Sequence, residues 1–429
     1  MIPEIELKSS QEIKQFQEDE LKKLLYYLKD NSTYYQRVFK RQNIQISDIN
    51  TLEDLQKIPV TTKEDLHRYN DDFICIDSSN IIDYVTTSGT TGNPVFFGLS
   101  DKDLERLAYN EAISFACSKV TKNDTIQLMT TIDRRFLAGL AYFLGARKLG
   151  AGIIRVGAGI PELQWDSILK FKPSYLIAVP SFLLKLIEYA ENNGITVNSS
   201  SVKGVICIGE PLKKQDFSDN VLSLKIKEKW DIELYSTYAS TEMSTAFSEC
   251  EFQQGGHHHP ELIIVEILDD HNQPVMEGEE GELVVTTLGV ETIPLLRFKT
   301  GDVIKAHYQP CKCGRNTLRL GPVIGRKKHM IKYKGTTIYP PAMYNLLNDF
   351  SAIENYIIEL DRNEVGLDNI TIKVGTKASS EDLMQRLKDH MRAKLRVLPT
   401  IMILSIDAVN KLNFPGINRK PILFVDKRK

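Results

Sequence analysis

The amino-acid sequence predicts an α/β protein: a large N-terminal domain of mostly parallel sheets flanked by helices with a β-rich subdomain, then a small C-terminal α+β domain. Three observations predict it. Short runs rich in β-branched residues at 125–130, 152–156, 175–179, 204–208 and 232–236 alternate with amphipathic stretches, the pattern of strand, helix, strand units that build parallel sheets. After residue 260 the texture turns to strands punctuated by Gly and Asp, at 262–268, 281–287 and 293–298, and reads as a barrel-like subdomain spanning about residues 245–325. From Gly325 a shorter alternation begins, with strands at 356–360, 370–374 and 400–405 around a helix at 380–395. A chain of 429 residues suits two unequal domains, and the expected division is 1–327 and 328–429.

Each element follows from local chemistry. Residues 11–40 are charged with helical spacing, and Pro59-Val60-Thr61-Thr62-Lys63-Glu64-Asp65-Leu66 reads as a turn leading into a capped helix start. Phe182, Leu183, Leu186, Ile187 and Ala190 form an apolar helical stripe over 182–193, with Gly194 as its C-terminal cap.

Composition excludes several function classes. Hydrophobic residues at 42% and charged residues at 26% suit a packed enzyme rather than a disordered chain. A formal net charge of -2 and a pI near 6.5 leave no basic field for a polyanion, so neither nucleic acid nor an anionic membrane is an expected partner. The start, Met1-Ile2-Pro3-Glu4-Ile5, lacks the order of a secretory signal, and the apolar segment 137–146 is far short of a membrane span. A cytoplasmic protein is expected. The six cysteines are too few and too scattered for a disulfide framework.

Between two strand-like runs, 81–86 and 95–99, stands the loop Thr87-Ser88-Gly89-Thr90-Thr91-Gly92-Asn93-Pro94. Glycines let backbone N–H groups close on an anion and hydroxyls add donors, so such a loop suits a polyphosphate. It is not a Walker A loop, because the Gly-Lys-Ser/Thr ending and the following helix are missing. A solvated hairpin loop has the same composition, and other segments must separate the two. Those segments are Gly209-Glu210-Pro211, Tyr235-Ser236-Thr237-Tyr238-Ala239-Ser240-Thr241-Glu242, Arg297-Phe298-Lys299-Thr300-Gly301-Asp302, the run from Ile324-Gly325-Arg326 through Lys328 to Gly335, and Gly416-Ile417-Asn418-Arg419-Lys420-Pro421.

In this order they resemble, over nearly the whole chain, the phenylacetate-coenzyme A ligase branch of the adenylate-forming enzymes. The resemblance implies an AMP-forming carboxylic acid:coenzyme A ligase with ATP, Mg2+ and coenzyme A as its cofactors. Ser88, Gly89, Thr90, Thr91 and Gly92 would then cradle the phosphates, Glu210 and Pro211 line the adenine site, and Tyr238 stack on adenine beside Ala239 and Ser240. Thr241 would bond the phosphate, Glu242 ligate magnesium, Asp302 accept the ribose hydroxyls and Arg326 reach the ribose or phosphate. Lys328 would be the hinge of a mobile C-terminal domain, Gly335 would border the route of the pantetheine arm, and Lys420 would stabilise charge at the α-phosphate. Asn93, Ala239 and Arg419 depart from the family pattern. A homodimer is implied, and the expected acid is phenylacetate or a related aryl or arylacetic acid. Arg134 and Arg135, in the segment expected to border the acid, either face solvent or meet an anionic group. Two alternatives remain at this point: transfer of the acyl group to a carrier-protein thiol or other acceptor, and a catalytically weak nucleotide-binding module.

Cys250, His257, Cys311 and Cys313 form a Cys3His set, and the Cys-x-Cys-Gly turn suits a structural zinc that staples the β-rich subdomain. His258 and His259 adjoin His257, and the family's Gly-Leu-His element picks His257 as ligand. Reduced cysteines without metal are the alternative.

Overall fold

In the computed structural model, which describes residues 2–87, 95–333, 336–362, 368–377, 380–395, 397–415 and 421–428, the apolar runs of the sequence become the buried strands of one long mixed sheet. From one edge, Gly152–Arg155, Thr125–Leu128, Tyr175–Ala178, Gly204–Ile208 and Glu233–Ser240 run parallel. Because side chains alternate across a strand, each inner strand feeds two cores. Leu176, Ala178, Val205 and Cys207 face one, capped by Trp165 and Trp230 with ring centroids 5.4 Å apart. Tyr175, Ile177 and Ile206 face the other, under Phe115, Tyr142 and Ala146.

Past Glu233–Ser240 the sheet turns antiparallel through Thr245–Ser248, Gly256–His257, Arg319–Leu320, Phe298–His307, Glu280–Thr287 and Ile263–Leu268. The β-rich region is therefore an extension of the central sheet, and its described strands follow an open path, not a barrel. A second correction concerns 293–298. Pro294 has no N–H to give to a ladder and Arg297 is left-handed (φ 49°), so the strand starts only at Phe298 and runs to His307. Arg297 instead buries its guanidinium against Glu266, at 2.8 Å, and donates to the carbonyl of Ile58.

The N-terminal layer consists of the helices Ser10–Asn31 and Thr33–Arg41 followed by Lys63–Arg68, whose N-cap Thr62 forms a capping box with Asp65. Among the described residues no helix is long and apolar enough to cross a membrane.

The chain divides into two compact units, Met1–Thr300 with Ile304–Pro322, and Gly301–Val303 with Val323–Lys429. The second unit contains a four-stranded sheet in which Asn355–Arg362 and Asp368–Gly375 pair antiparallel, flanked in parallel by Phe424–Asp426 and Thr400–Leu404. Helices Pro340–Asn348 and Ser380–Leu395 supply Met343, Leu347, Leu387 and Met391 to its core.

In the first unit, helix Asp101–Cys117 packs on helix Leu137–Leu149 so closely that a Cβ on Gly145 would stand 2.2 Å from Cβ of Glu111. Glu111 is thereby sealed in apolar surroundings, and burial pushes its carboxyl up to about 8, partly offset by a hydrogen bond from the Asn110 amide. Since the folded-state value lies above the ordinary 4.5, stability drawn from this group is complete below that pH and is lost as pH climbs toward 8. Glu111→Gln should therefore flatten the fall in stability between about pH 5 and pH 8, gaining on the order of 2 kcal/mol over wild type at the upper end. Chemical denaturation across that range checks this, and parallel curves for the two proteins would show a solvated carboxyl.

Candidate functional site

Strand Asp83–Thr86 pairs antiparallel with Phe96–Leu99, and beyond the Thr86↔Phe96 pair the hairpin is closed by Thr87 and Val95. The Thr87 N–H donates to the Val95 carbonyl at 2.9 Å and the Val95 N–H to Thr87 Oγ1 at 3.2 Å. Ser88, Gly89, Thr90, Thr91 and Gly92, with Asn93 and Pro94, lie outside the described residues. Their frame is firm: Asn70 binds both the N–H and the carbonyl of Phe96, each at 3.1 Å. Thr86 N–H donates to the carbonyl of Arg135 at 3.0 Å, which ties the foot of this loop to the segment expected to border the acid. That segment is tightly bent, with Arg134 and Arg135 both left-handed (φ 62° and 58°), and a Cβ on Gly139 would meet the Thr131 carbonyl oxygen at 1.9 Å. Both arginine side chains are exposed.

Two neighbouring strands bring further residues together. Strand Gly204–Ile208 ends in left-handed Gly209 and then Glu210, whose two carboxylate oxygens accept from the Ser181 N–H and Oγ, both at 2.8 Å. Glu210 thus satisfies an unpaired donor at the N-terminus of helix Pro180–Asn192, where a negative charge is also favoured by the helix dipole. Pro211 is exposed, and its carbonyl accepts from the Asn220 amide at 2.7 Å.

The adjacent strand, Glu233–Ser240, is paired through Ile208↔Thr237 and carries half-buried Tyr238, whose ring centroid lies 6.2 Å from that of Phe247. Ala239 is exposed. The Ser240 hydroxyl accepts from the Met243 N–H at 3.3 Å, and the chain reverses through residues 241–244 around a left-handed Ser244 (φ 47°). The Thr241 carbonyl accepts from the Ser244 hydroxyl at 3.1 Å. Glu242 leaves only 13% of its side chain exposed and stands 3.9 Å from the Lys63 ammonium. One strand end and its turn therefore present an aromatic face, two hydroxyls and a carboxylate next to the end of a parallel strand, where ligands of α/β sheets bind.

In the second unit, Asp302 lies within strand Phe298–His307 beside left-handed Gly301, not in a turn. It pairs in register with Arg326, whose Nε is 3.3 Å from its carboxylate. Lys328 is exposed in the one-turn helix Lys327–His329. Gly335 and Lys420 lie outside the described residues.

Cys250, His257, Cys311 and Cys313 converge, and their ligand atoms all fall within 4.8 Å of one another. Sγ of Cys250 is 3.7 Å from Sγ of Cys311, and Nε2 of His257 is 3.4 Å from the former and 3.5 Å from Sγ of Cys313. Left-handed Gly314 (φ 95°) lets its N–H reach the Cys311 carbonyl, which shapes the knuckle. The Cys313 thiol is held well below the ordinary range by its contacts with Cys250 and His257 and by the Arg315 guanidinium. The three consecutive histidines have three different partners: His257 faces the sulfurs, His258 the Ile263 carbonyl, and His259 the carboxylate of Glu6. A second close grouping, Glu6, His259 and Glu261, differs in kind, because Glu6 already gives one oxygen to His259 and the other to Arg315.

A family model for the AMP-binding enzyme matches residues 14–291, which span the hairpin, the Tyr238 strand and Glu242. The chain belongs to the AMP-binding enzyme family. Relatives named phenylacetate-coenzyme A ligase match most of its length, in line with the sequence resemblance. The phenylacetate-coenzyme A ligase of Thermus thermophilus is 28% identical over 377 residues, covering 87% of this chain and 83% of its own. That of Escherichia coli is 27% identical over 399 residues, covering 91% and 89%. Among solved structures, 2-hydroxyisobutyryl-CoA ligase with 2-HIB-AMP in the postadenylation state superposes with a TM-score of 0.86 at 22% identity, covering 99% of this chain and 92% of that one. The same ligase with 2-HIB-AMP and CoA in the thioesterification state gives 0.72 at 23% identity, covering 100% and 92%.

Sequence reasoning did not single out three side chains that bond to segments next to the candidate residues: Arg106, Asn110 and Arg315. Arg106 and Asn110 stand one helical turn apart among the other charged and polar residues of their helix, and Arg315 two residues past Cys313, so nothing in the sequence alone set them apart. Glu210, expected to line adenine, also caps a helix end through Ser181. Glu210→Ala should cost about 1 kcal/mol in urea unfolding, and an unchanged midpoint would mean that the Ser181 bonds contribute nothing in solution.

Proposed function

We propose that the chain is an ATP-dependent, AMP-forming carboxylic acid:coenzyme A ligase. The acid's carboxylate oxygen attacks the α-phosphorus of ATP, the α–β phosphoanhydride bond breaks and pyrophosphate leaves; the coenzyme A thiolate then attacks the acyl carbon and AMP leaves with the bonding pair. The observation that carries this reading is the turn at the end of Glu233–Ser240. Tyr238 lies near the strand's end and Thr241 and Glu242 in the turn that follows, all within the stretch matched by the AMP-binding model.

In this reading Tyr238 supplies a flat apolar face for the purine, and Thr241 a hydroxyl for a phosphate oxygen. Glu242 would hold Mg2+, whose two charges offset those of the phosphates; among the described residues it forms a loose ion pair with Lys63 at 3.9 Å. Asp302 would accept from the ribose hydroxyls, with Arg326 already aligning its carboxylate. Lys420 is proposed to stabilise the charge growing at the α-phosphate, Gly335 to border the thiol's route, and Lys328 to be the pivot between the 1–327 and 328–429 domains. The relatives that act on phenylacetate support an aryl or arylacetic acid as substrate. A cytoplasmic homodimer is the state that the family resemblance supports.

A structural zinc at Cys250, His257, Cys311 and Cys313 belongs to the same reading. Tetrahedral Zn–S bonds near 2.3 Å set two sulfurs about 3.8 Å apart, and the Cys250 and Cys311 sulfurs stand at 3.7 Å. The donor set fits. Filling all four positions leaves none for substrate, so the metal would brace the sheet without entering the reaction.

A panel of aryl, arylacetic and short aliphatic acids with ATP and coenzyme A should yield thioester and AMP in equal amounts for at least one acid. Hydrolysis of ATP to ADP, or no acid-dependent turnover, would reject the ligase reading. Lys420→Ala should lower acid-dependent pyrophosphate exchange by about 100-fold or more while sparing thioester formation from a supplied acyl-adenylate; the reverse pattern would remove Lys420 from the first step. Purified protein should carry one zinc per chain, and Cys313→Ser should lose it with a lower melting temperature. A well-folded wild type with negligible zinc would exclude the site.

A further inference from the structure

Strand Thr245–Ser248 has one edge bonded to the strand that bears Tyr238, in the register Tyr238↔Phe247, Ala239↔Ala246 and Ser240↔Thr245. Along residues 244–246 its other edge is met by a helix. Asn110, on helix Asp101–Cys117, accepts the Ala246 N–H at 3.0 Å. One helical turn earlier, Arg106 donates through Nη1 to the Ser244 carbonyl at 2.6 Å and through Nη2 to Thr245 Oγ1 at 3.0 Å. Its remaining bonds go to the carbonyls of Leu262 and Leu288, both at 2.6 Å. Further down the same helix, the Cys117 thiol donates to the Ser248 carbonyl at 3.4 Å.

Residues four apart share a helix face, so Arg106 and Asn110 act on this edge as a strand would, with side chains in place of backbone. A guanidinium is suited to the task because its planar fork addresses several acceptors at fixed angles, which an ammonium cannot do. The Ser244 carbonyl is the last of the turn 241–244, whose left-handed final residue leads the chain from Thr241 and Glu242 into strand Thr245–Ser248. Neither Arg106 nor Asn110 needs to touch a ligand to matter.

We propose that Arg106 and Asn110 are positioning residues for the nucleotide, holding the turn that carries Thr241 and Glu242 at the distance from Tyr238 that MgATP requires. The proposal rests on the reading that Tyr238, Thr241 and Glu242 contact the nucleotide. It separates two contributions on one helix: this polar pair sets the nucleotide turn, while Glu105, on the exposed face with Lys148 at 2.9 Å, does not.

The test measures acid-dependent pyrophosphate exchange and the KM values for MgATP, acid and coenzyme A in Asn110→Ala, Arg106→Lys, Glu105→Gln and Glu242→Gln. Asn110→Ala and Arg106→Lys should each raise KM for MgATP or lower the exchange rate by about 10-fold or more, since small displacements of binding groups have effects of this size. KM for the acid and for coenzyme A should stay within about 2-fold of wild type, as should every constant of Glu105→Gln. Asn110→Ala removes one acceptor, for the Ala246 N–H, and one donor, to Glu111, and it carries the test even where Arg106→Lys yields insoluble protein. A folded Asn110→Ala with wild-type MgATP constants, or equal losses for all three substrates, overturns the proposal. Impaired Glu242→Gln beside unaffected Asn110→Ala and Arg106→Lys removes the positioning role alone. Wild-type exchange in Glu242→Gln removes the nucleotide reading and the proposal with it.

Discussion

The strand Glu233–Ser240 is the constraint on which the rest of the first unit depends. Its one edge runs parallel to Gly204–Ile208, and its other edge runs antiparallel to Thr245–Ser248. It is therefore where a sheet built by helical crossovers becomes a sheet built by tight reversals. The parallel half leaves its strand ends, with Gly209 and Glu210, on one side of this junction. The antiparallel half begins within four residues, at the turn 241–244. Displacing this strand by one residue would move Tyr238 to the opposite face and take Thr241 and Glu242 with it. The Cys/His cluster lies immediately beyond, since Ser248 pairs with His257 and Cys250 follows two residues later. Bracing at that cluster therefore reaches Tyr238 through two ladders of backbone hydrogen bonds.

How much of this was legible in the sequence follows from what each strand buries. Gly204–Ile208 was legible to the residue, because a parallel strand covered on both faces must be apolar at every position, and Gly-Val-Ile-Cys-Ile is. The expected strand 232–236 was too short because Thr237, Tyr238, Ala239 and Ser240 extend past the core into a half-exposed region, where no apolar requirement marks them. The expected strand 293–298 failed for the opposite reason. Ile293, Leu295, Leu296 and Phe298 are buried as a strand would be, but they reach burial as an irregular segment in which Thr287 bonds Leu295 and Tyr35 bonds Leu296. Apolarity reports burial, and only the backbone decides between a strand and a packed loop. Residues bearing recognisable chemistry, such as Tyr238 and Glu242, could be named from the sequence one by one as candidates. The side chains that hold them, such as Arg106, could not, because their partners are main-chain carbonyls that leave no trace in composition.

The region around the cysteines shows a second way in which distant segments are joined. Glu6 is fully buried with one oxygen on His259 and the other on Arg315, and Arg315 reaches Sγ of Cys313 at 3.4 Å. A buried carboxylate is tolerated only where opposite charge and hydrogen bonds replace its water. Burial alone would raise the pKa of Glu6, but its contacts with His259 and Arg315 hold it below the ordinary value. The chain adjoining Glu6 is clamped by the same knuckle, since the Asn316 N–H donates to the Glu6 carbonyl at 2.8 Å and the Asn316 amide to those of Leu7 and Lys8. Opening the knuckle would leave Glu6 with a buried charge and lost partners, so the N-terminal layer and the Cys/His cluster stand or fall together.

The second unit shows how a pivot at Lys328 would be kept sharp. Arg428 donates to the carbonyl of Lys328 at 3.3 Å and of Met330 at 3.1 Å, and it is itself fixed by Asp426 at 2.8 Å and Asp368 at 2.9 Å. The carbonyl of a residue lies beyond its own φ and ψ, so the peptide that follows Lys328 already belongs to the body that holds Arg428. A rotation about those two dihedrals leaves every one of these bonds intact. His329 strengthens the same attachment, its ring 5.0 Å from that of Phe424. Burial, with Lys328 and Arg326 nearby, lowers its pKa to about 4, so it packs as a neutral ring and adds no charge to a turn already carrying two lysines and an arginine. Upstream, the ladder ends at Arg326 opposite Asp302. The backbone between that pair and the Arg428 anchor is only two residues long, so a pivot of the kind proposed would have only Lys327 and Lys328 to turn on.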